Sequence, residues 1–122
     1  MSNLSKLFDL TDRVAIVTGG AGLLGAEFCR TLVLAGARVV VADIDVDAAK
    51  SLAISLSDLP SKKNQSSDNE VKSSAVGACT DVADIDSVQY TVDTTLRHFG
   101  RLDILVNSAA VDPKFDPQHT EG

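Results

Sequence analysis

Three glycines with a spacing suited to binding a diphosphate follow an apolar, β-branched run near the start of the chain. Gly20, Gly22 and Gly25 form the pattern G-x-G-x-x-G directly after residues 14–18. In such a loop one glycine makes a tight turn, one lets the backbone approach the phosphates, and one lets a helix pack on a strand. The free N–H groups at the start of that helix then attract the anion.

A carboxylate follows where this chemistry requires one. Asp43 ends the apolar run 39–42, close to the spacing of about 20 residues at which an acidic side chain accepts hydrogen bonds from a ribose. The alternative is that the glycines form an ordinary turn and that Asp43 merely ends a strand. The residues around the glycines favour the dinucleotide-binding interpretation.

Two segments of the chain show the apolar spacing of helices. In the segment after the glycines, apolar side chains recur at helical spacing at Leu24, Phe28, Leu32 and Ala35. In a later segment, the apolar stripe that we expect to face the sheet comprises Ile85, Val88, Val92, Leu96 and Phe99. We predict left-handed C-terminal caps at Gly36 and Gly100, and an N-terminal cap at Asp84.

Strand-like and helix-like segments alternate along the chain. Strands are predicted near 13–18, 38–42, 75–79 and 103–107, and helices near 23–35, 46–57 and 84–98. Such alternation predicts a parallel sheet covered on both faces, and right-handed crossovers give the strand order 3-2-1-4. The predicted fold class is therefore α/β, a doubly wound, Rossmann-like parallel sheet that is truncated after the fourth strand.

The length of 122 residues allows one domain, which we expect to be an incomplete dinucleotide-binding domain over residues 1–122. Residues 57–74 are polar and are predicted to form a surface loop. Residues 111–122 contain two prolines and are expected to be a loop-like tail.

Composition excludes several functions. The net charge of -6 and the pI of about 4.6 argue against nucleic acid as a partner. The sequence shows no signal peptide and no apolar run long enough for a membrane span, so no membrane partner is expected. Cys29 and Cys79 lack metal-ligand spacing, so we expect no metal site, two small core thiols and a cytoplasmic location.

The chain resembles the first half of the short-chain dehydrogenase/reductase family from about residue 10 to 111. The resemblance rests on residues 18–25, on Asp43, on the pair Asp81 and Val82, and on residues 102–110. It implies an oxidoreductase that uses NAD or NADP on an alcohol or carbonyl. It also implies a small-molecule substrate and a homo-oligomer in the complete protein.

The same resemblance implies roles for particular residues. Asp43 would accept hydrogen bonds from the adenosine ribose, Asp81 would meet the adenine amino group, and Val82 would line the adenine pocket. Asn107 would support the central strand, with the Ala109 backbone near the cofactor ribose. The full set of predicted cofactor-binding residues is Gly19, Gly20, Gly22, Leu24, Gly25, Asp43, Ile44, Asp81, Val82, Asn107 and Ala109.

The chain departs from the family pattern in two places, and the glycine spacing leaves the branch of the family open, although Asn107 and the preceding residues 102–106 favour the shorter, single-domain branch. Leu23 stands where the single-domain branch has its middle glycine, whereas Gly22 matches the longer, epimerase-like branch. In the fourth-strand motif, Ser108 and Ala110 replace an asparagine and a glycine.

The family's catalytic pair is a tyrosine with a lysine four residues later. Tyr90 is the single tyrosine, it lies before the fourth strand, and Thr94 stands where the lysine would be. We therefore assign no catalytic residue and expect this chain alone to be inactive. The alternatives are a non-catalytic nucleotide-sensing Rossmann module and a fragment of an enzyme resembling nucleotide-sugar epimerases or dehydratases.

Asp43 also predicts the cofactor. Its carboxylate would face the 2′-phosphate of NADP, and like charges 4 Å apart cost from about 1 kcal/mol in water to about 4 kcal/mol at an effective dielectric near 20. No basic residue lies in the glycine loop or directly after Asp43. We expect NAD to be preferred over NADP, and equal dissociation constants would contradict this.

Overall fold

The computed structural model describes residues 9–60 and 74–109. Its four strands are β1 (Val14–Thr18), β2 (Arg38–Asp43), β3 (Ala75–Cys79) and β4 (Ile104–Asn107). All pair in parallel, in the order β3-β2-β1-β4. The predicted fold class and strand order are confirmed. The predicted loop 57–74 is described only at its ends, and residues 110–122 lie outside the described residues.

Three helices connect the strands: α1 (Leu23–Leu34), α2 (Val46–Ser57) and α3 (Ile85–Phe99). The predicted caps are confirmed, because Asp84 accepts a hydrogen bond from the N–H of Asp86 and both glycines after helices have positive φ, +103° at Gly36 and +83° at Gly100. Each helix therefore begins and ends where local chemistry directs.

The sheet has one helical layer on each face. The first layer buries Ala15, Val17, Val39 and Val41 against α1 and α2, and the second buries Val14, Ile16, Val40 and Ala42 against α3. Because β1 and β2 are covered on both sides, their sequences are continuous apolar runs rather than alternating ones. This packing fixes the carboxyl ends of β1 and β2 next to each other.

The residues that α1 buries are not its largest apolar residues. Leu24 is 64% exposed and Phe28 is 39% exposed, whereas Gly25, Cys29 and Val33 are buried. Gly25 must lie against the loop before the helix, and this contact turns the positions four and eight residues later toward the sheet. Of the apolar set predicted from the sequence, Leu32 packs against the core, whereas Leu24 and Phe28 are exposed.

The two cysteines have different environments. Burial raises the pKa of the Cys29 thiol to about 12, so this side chain stays protonated and packs as a small apolar group. Cys79, at the end of β3, is exposed. The expectation that both thiols lie in the core is wrong for Cys79, because the end of an edge strand is covered on fewer sides than a helix facing the sheet.

The apolar stripe predicted for α3 is only partly confirmed, because Phe99 is buried and Val92 packs against the core, whereas Ile85, Val88 and Leu96 are exposed. Ile85 is 81% exposed and Leu96 is 45% exposed. Besides Phe99 and Val92, the side chains of α3 that lie against the sheet are those of Thr91 and Thr95, both buried. Thr95 donates to the Thr91 carbonyl at 2.8 Å, so its buried hydroxyl is satisfied within the helix and carries little desolvation cost.

An ion pair anchors the amino end of β4 to β1. Asp103 Oδ2 accepts hydrogen bonds from the Val14 N–H at 2.9 Å and from Arg101 Nε at 2.8 Å, while Oδ1 accepts from Arg101 Nη2 at 2.8 Å. The Arg101 hydrogen bonds, followed by that of Val14, lower the pKa of Asp103 from 3.8 to about 2. The carboxylate is thus stabilised in the folded state.

We predict that Asp103→Asn destabilises the chain at neutral pH but not in strong acid. A depressed pKa in the folded state stabilises the protein above the unfolded pKa of 3.8, and this contribution is lost as the pH falls toward about 2. Urea unfolding at pH 7, 4, 3 and 2 should show the two proteins converging below pH 4. Asp93→Asn, on the exposed side of α3, is the charge-matched control. An undiminished gap at pH 2 would contradict the prediction.

Candidate functional site

A tight loop of small residues joins β1 to α1. Gly19 has a φ of +64°, and its carbonyl accepts a hydrogen bond from the Gly22 N–H at 3.1 Å. Gly20 N–H donates to the Ala42 carbonyl at 3.2 Å, which holds the loop against the end of β2. These bonds place the start of α1 over the carboxyl edge of the sheet.

The start of α1 has no side-chain cap. Gly22 is the N-cap residue in an extended conformation, and no side chain accepts a hydrogen bond from the first turn. The first helical hydrogen bond is from the Ala26 N–H to the Gly22 carbonyl at 2.8 Å, so the N–H groups of residues 23–25 have no helical acceptor. Such a helix end is suited to an anion.

The glycines of the loop have distinct structural roles. A Cβ at Gly25 would lie 2.1 Å from the Gly19 carbonyl oxygen, and one at Gly20 would lie 2.8 Å from the Val17 carbonyl oxygen. At Gly22, the nearest atom would be 3.4 Å away, an ordinary contact. Gly20 and Gly25 are therefore required by packing, whereas Gly22 leaves open space beside the helix start.

The carboxylate of Asp43 reaches the glycine loop from the end of β2. Its Oδ2 accepts a hydrogen bond from the Ala21 N–H, and its Oδ1 accepts one from the Asp45 N–H, both at 3.0 Å. A carboxylate has about four acceptor positions. Asp43 can therefore hold the loop and still accept hydrogen bonds from two further hydroxyl groups.

The segment after β3 lies beside Asp43. Thr80 N–H donates to the Asp43 carbonyl at 2.9 Å, which joins the two strand ends. The next residue, Asp81, closes a turn by accepting a hydrogen bond at Oδ1 from the Ala83 N–H at 2.9 Å. Within the described residues, no hydrogen bond engages Asp81 Oδ2. Val82 is 38% exposed next to it.

The end of β4 closes the other side of the loop. Thr18 Oγ1 donates to Asn107 Oδ1 at 2.8 Å, and both the N–H and the hydroxyl of Ser108 donate to the Thr18 carbonyl. A Cβ at Gly19 would lie 2.7 Å from Ala109 Cα. Asn107 therefore fastens β4 to β1, and Ala109 lies directly against the glycine loop.

The structure places the predicted site residues on the loops and strand ends at the carboxyl edge of the sheet. They are Gly19, Gly20, Gly22, Leu24 and Gly25 at the loop and helix start, Asp43 at the end of β2 and Ile44 after it, Asp81 and Val82 after β3, and Asn107 at the end of β4 with Ala109 after it. Ile44 and Leu24 are exposed. That these residues bind a cofactor stays a prediction.

Sequence reasoning missed a set of hydroxyl side chains behind Asp81. Ser87, Thr91 and Thr95 recur every four residues on α3, and Thr80 directly follows β3. This repeat of small hydroxyl residues was the available signal. Tyr90, on the same helix, is 62% exposed.

Residues 9–60 and 74–109, which the structure describes, contain neither a metal-binding cluster nor a membrane-spanning helix. No group of three or more histidine, cysteine, aspartate or glutamate side chains there lies close enough to hold a metal ion. In the same residues, no helix has the length and apolar character needed to cross a membrane.

Comparison with known proteins gives consistent matches. The family model for short chain dehydrogenases matches residues 13–121. The chain is 37% identical over 117 residues to a short chain dehydrogenase/reductase of Aspergillus oryzae, covering 96% of this chain and 41% of that protein. It is 36% identical over 104 residues to D-threitol dehydrogenase of Mycolicibacterium smegmatis, covering 85% of this chain and 35% of the relative.

Two solved structures of reductases or dehydrogenases also align with this chain. A crystal structure of 3-ketoacyl-(acyl-carrier-protein) reductase from Brucella melitensis, complexed with NADH, aligns with a TM-score of 0.64 at 26% identity over 79% of this chain and 33% of that one. Hydroxysteroid dehydrogenase from Escherichia coli aligns with a TM-score of 0.71 at 29% identity over 84% and 39%. The chain thus spans between 33% and 41% of the length of each of these four proteins.

Proposed function

Because this chain belongs to the short-chain dehydrogenase/reductase family, we propose that it is the NAD(H)-binding part of an oxidoreductase that acts on an alcohol or carbonyl substrate. The observation that carries the proposal is the uncapped start of α1 beside Gly22, with the Asp43 carboxylate held next to it. These groups suit the diphosphate and the adenosine ribose of one ligand.

Each part of the dinucleotide has a suitable surface. The N–H groups of residues 23–25 would bind the diphosphate, and Asp43 would accept hydrogen bonds from the ribose hydroxyls. Asp81 and Val82 would hold the adenine, and Ala109 would lie near the second ribose. Bound NAD would supply the acceptor for a hydride, while the residues of this chain bind and orient it.

We propose NAD rather than NADP as the preferred cofactor. Support comes from the position of Asp43, whose negative charge lies where it would face a 2′-phosphate. Within the described residues, Asp43 makes no ion pair that would neutralise this charge.

The remaining features of the complete protein are proposals from its family. They are a small-molecule substrate, assembly as a homo-oligomer, and a dinucleotide-binding domain to which residues 1–122 belong. Unpaired Cys29 and Cys79 suit a reducing cytoplasm. Since the single tyrosine is Tyr90 and lacks a partner lysine at position 94, we expect this chain to bind cofactor without turnover.

Titration of the purified chain with NADH tests the proposal. We expect saturable NADH fluorescence enhancement and a higher melting temperature in its presence, since a ligand that binds the folded state stabilises it. Gly22→Val should fold but lose both responses, because its side chain would occupy the open space beside the helix start. Ser55→Ala, on the exposed side of α2, is the control. No response to millimolar NADH would overturn the proposal.

A further inference from the structure

Helix α3 presents hydroxyl groups to the sheet, beside Val92 and Phe99, and leaves other apolar side chains on its surface. Thr91 and Thr95 are buried, and Ser87 is partly buried one turn earlier on the same side. Ile85 and Leu96 are exposed. This arrangement brings side-chain hydroxyl groups of α3 to the end of β3, where the predicted adenine-binding segment begins.

Two hydrogen bonds join α3 to that segment. The Asp81 N–H donates to Ser87 Oγ at 2.9 Å, and the Thr80 and Thr91 hydroxyls share a buried hydrogen bond of 2.6 Å. Thr91 also donates to the Ser87 carbonyl at 3.1 Å. The backbone at residues 80 and 81 is therefore held from the helix side at two successive positions.

The opposite side of the segment is held by β2, through the bond from the Thr80 N–H to the Asp43 carbonyl. The side chain of Asp81 is held at Oδ1 by the Ala83 N–H. With its backbone N–H and one carboxylate oxygen engaged, Asp81 has little freedom to rotate. Its Oδ2 is left for a ligand.

We propose that Ser87 is a positioning residue for adenine recognition, which it sets by holding the Asp81 backbone so that Oδ2 accepts from the adenine amino group. This rests on the proposed function, in which Asp81 meets the adenine. Ser87 acts through Asp81 and the Thr80–Thr91 pair supports the same segment. Loss of the Ser87 hydroxyl should reduce the preference for a base that carries the amino group more than it reduces the affinity for the rest of the cofactor.

The test compares NADH with reduced nicotinamide hypoxanthine dinucleotide, in which a carbonyl replaces the adenine amino group. A hydrogen bond to a charged group contributes about 1.5–3 kcal/mol, so the unaltered chain should bind NADH at least about tenfold more tightly than the hypoxanthine analogue. In Ser87→Ala the Asp81 N–H loses its acceptor, and we expect the preference to fall to about twofold or less.

Two matched variants separate positioning from stability. Ser87→Thr keeps a hydroxyl at the same position and should retain most of the preference. Thr95→Ala removes a hydroxyl that bonds only within α3, so it should lower the melting temperature without changing the ratio of the two dissociation constants.

An unchanged ratio in Ser87→Ala would overturn the inference and leave the proposed function standing. Equal binding of the two dinucleotides by the unaltered chain would overturn the inference together with the assignment of Asp81 to the adenine, and would leave NAD(H) binding standing. Failure of the unaltered chain to bind NADH at all would overturn both. Equal loss of preference in Thr95→Ala would show that general destabilisation, not Ser87, accounts for the effect.

Discussion

Replacing Gly25 by alanine is expected to destabilise the fold by about 3 kcal/mol or more and to abolish NADH binding, because the added Cβ would lie 2.1 Å from the Gly19 carbonyl oxygen. Gly20 Cα, 2.8 Å away, blocks the other direction. Both obstacles are backbone atoms, so no side chain can rotate to relieve the clash. The helix must move away from the loop, which separates α1 from β1.

The measurement is urea unfolding of the chain together with NADH titration. Gly22→Ala is the matched control, since its Cβ would have no contact closer than 3.4 Å. An alanine at an N-cap costs about 1 kcal/mol or less relative to glycine. If Gly25→Ala were no less stable than Gly22→Ala, the close packing of α1 on the loop would not hold in solution.

Replacing Asp43 by asparagine is expected to shift the preference between cofactors toward NADPH by about tenfold or more. Removing the charge removes a repulsion of about 1–4 kcal/mol toward a 2′-phosphate, and about 1.4 kcal/mol is a tenfold change in affinity. NADH binding should weaken at the same time, because an amide has one acceptor oxygen where the carboxylate bonds the N–H groups of both Ala21 and Asp45.

Titrating the unaltered chain and Asp43→Asn with NADH and NADPH gives, for each protein, the ratio of the two dissociation constants. Asp47→Asn changes the same net charge from an exposed position in the first turn of α2 and should leave the ratio unaltered. If the ratio of dissociation constants changed equally in Asp43→Asn and Asp47→Asn, the change in cofactor preference would be due to overall charge. A chain that already binds both cofactors equally would remove the basis for NAD preference.

The sequence was sufficient to predict the strand order, the element boundaries and the loop that follows β1. These depend on local signals: glycines between an apolar run and a helix, and acids and glycines at helix ends. Asp43 was located for the same reason, since a parallel strand must end at the edge where its neighbours end. The structure adds that Asp43 is already bonded to the Ala21 and Asp45 N–H groups.

Apolarity predicted the buried faces of α1 and α3 only in part, since Leu32, Val92 and Phe99 pack as expected and other buried positions were missed. On α1, the contact of Gly25 with the loop decides the orientation, and this contact is visible only when the strand and helix are assembled. On α3, Thr91 and Thr95 are buried in place of Ile85 and Leu96. A hydroxyl that bonds to the preceding turn of its own helix satisfies its hydrogen bond and can be buried, which a hydrophobic pattern does not register.

By itself, then, the sequence determined the order of the elements, the parallel sheet and the position of the glycine loop with its carboxylate, because short-range spacing specifies each of them. Tertiary structure alone decided which side of each helix packs and that Ser87 holds the Asp81 backbone. The physical reason is that these contacts join residues from different elements, whose distances depend on how the helices and the sheet pack together.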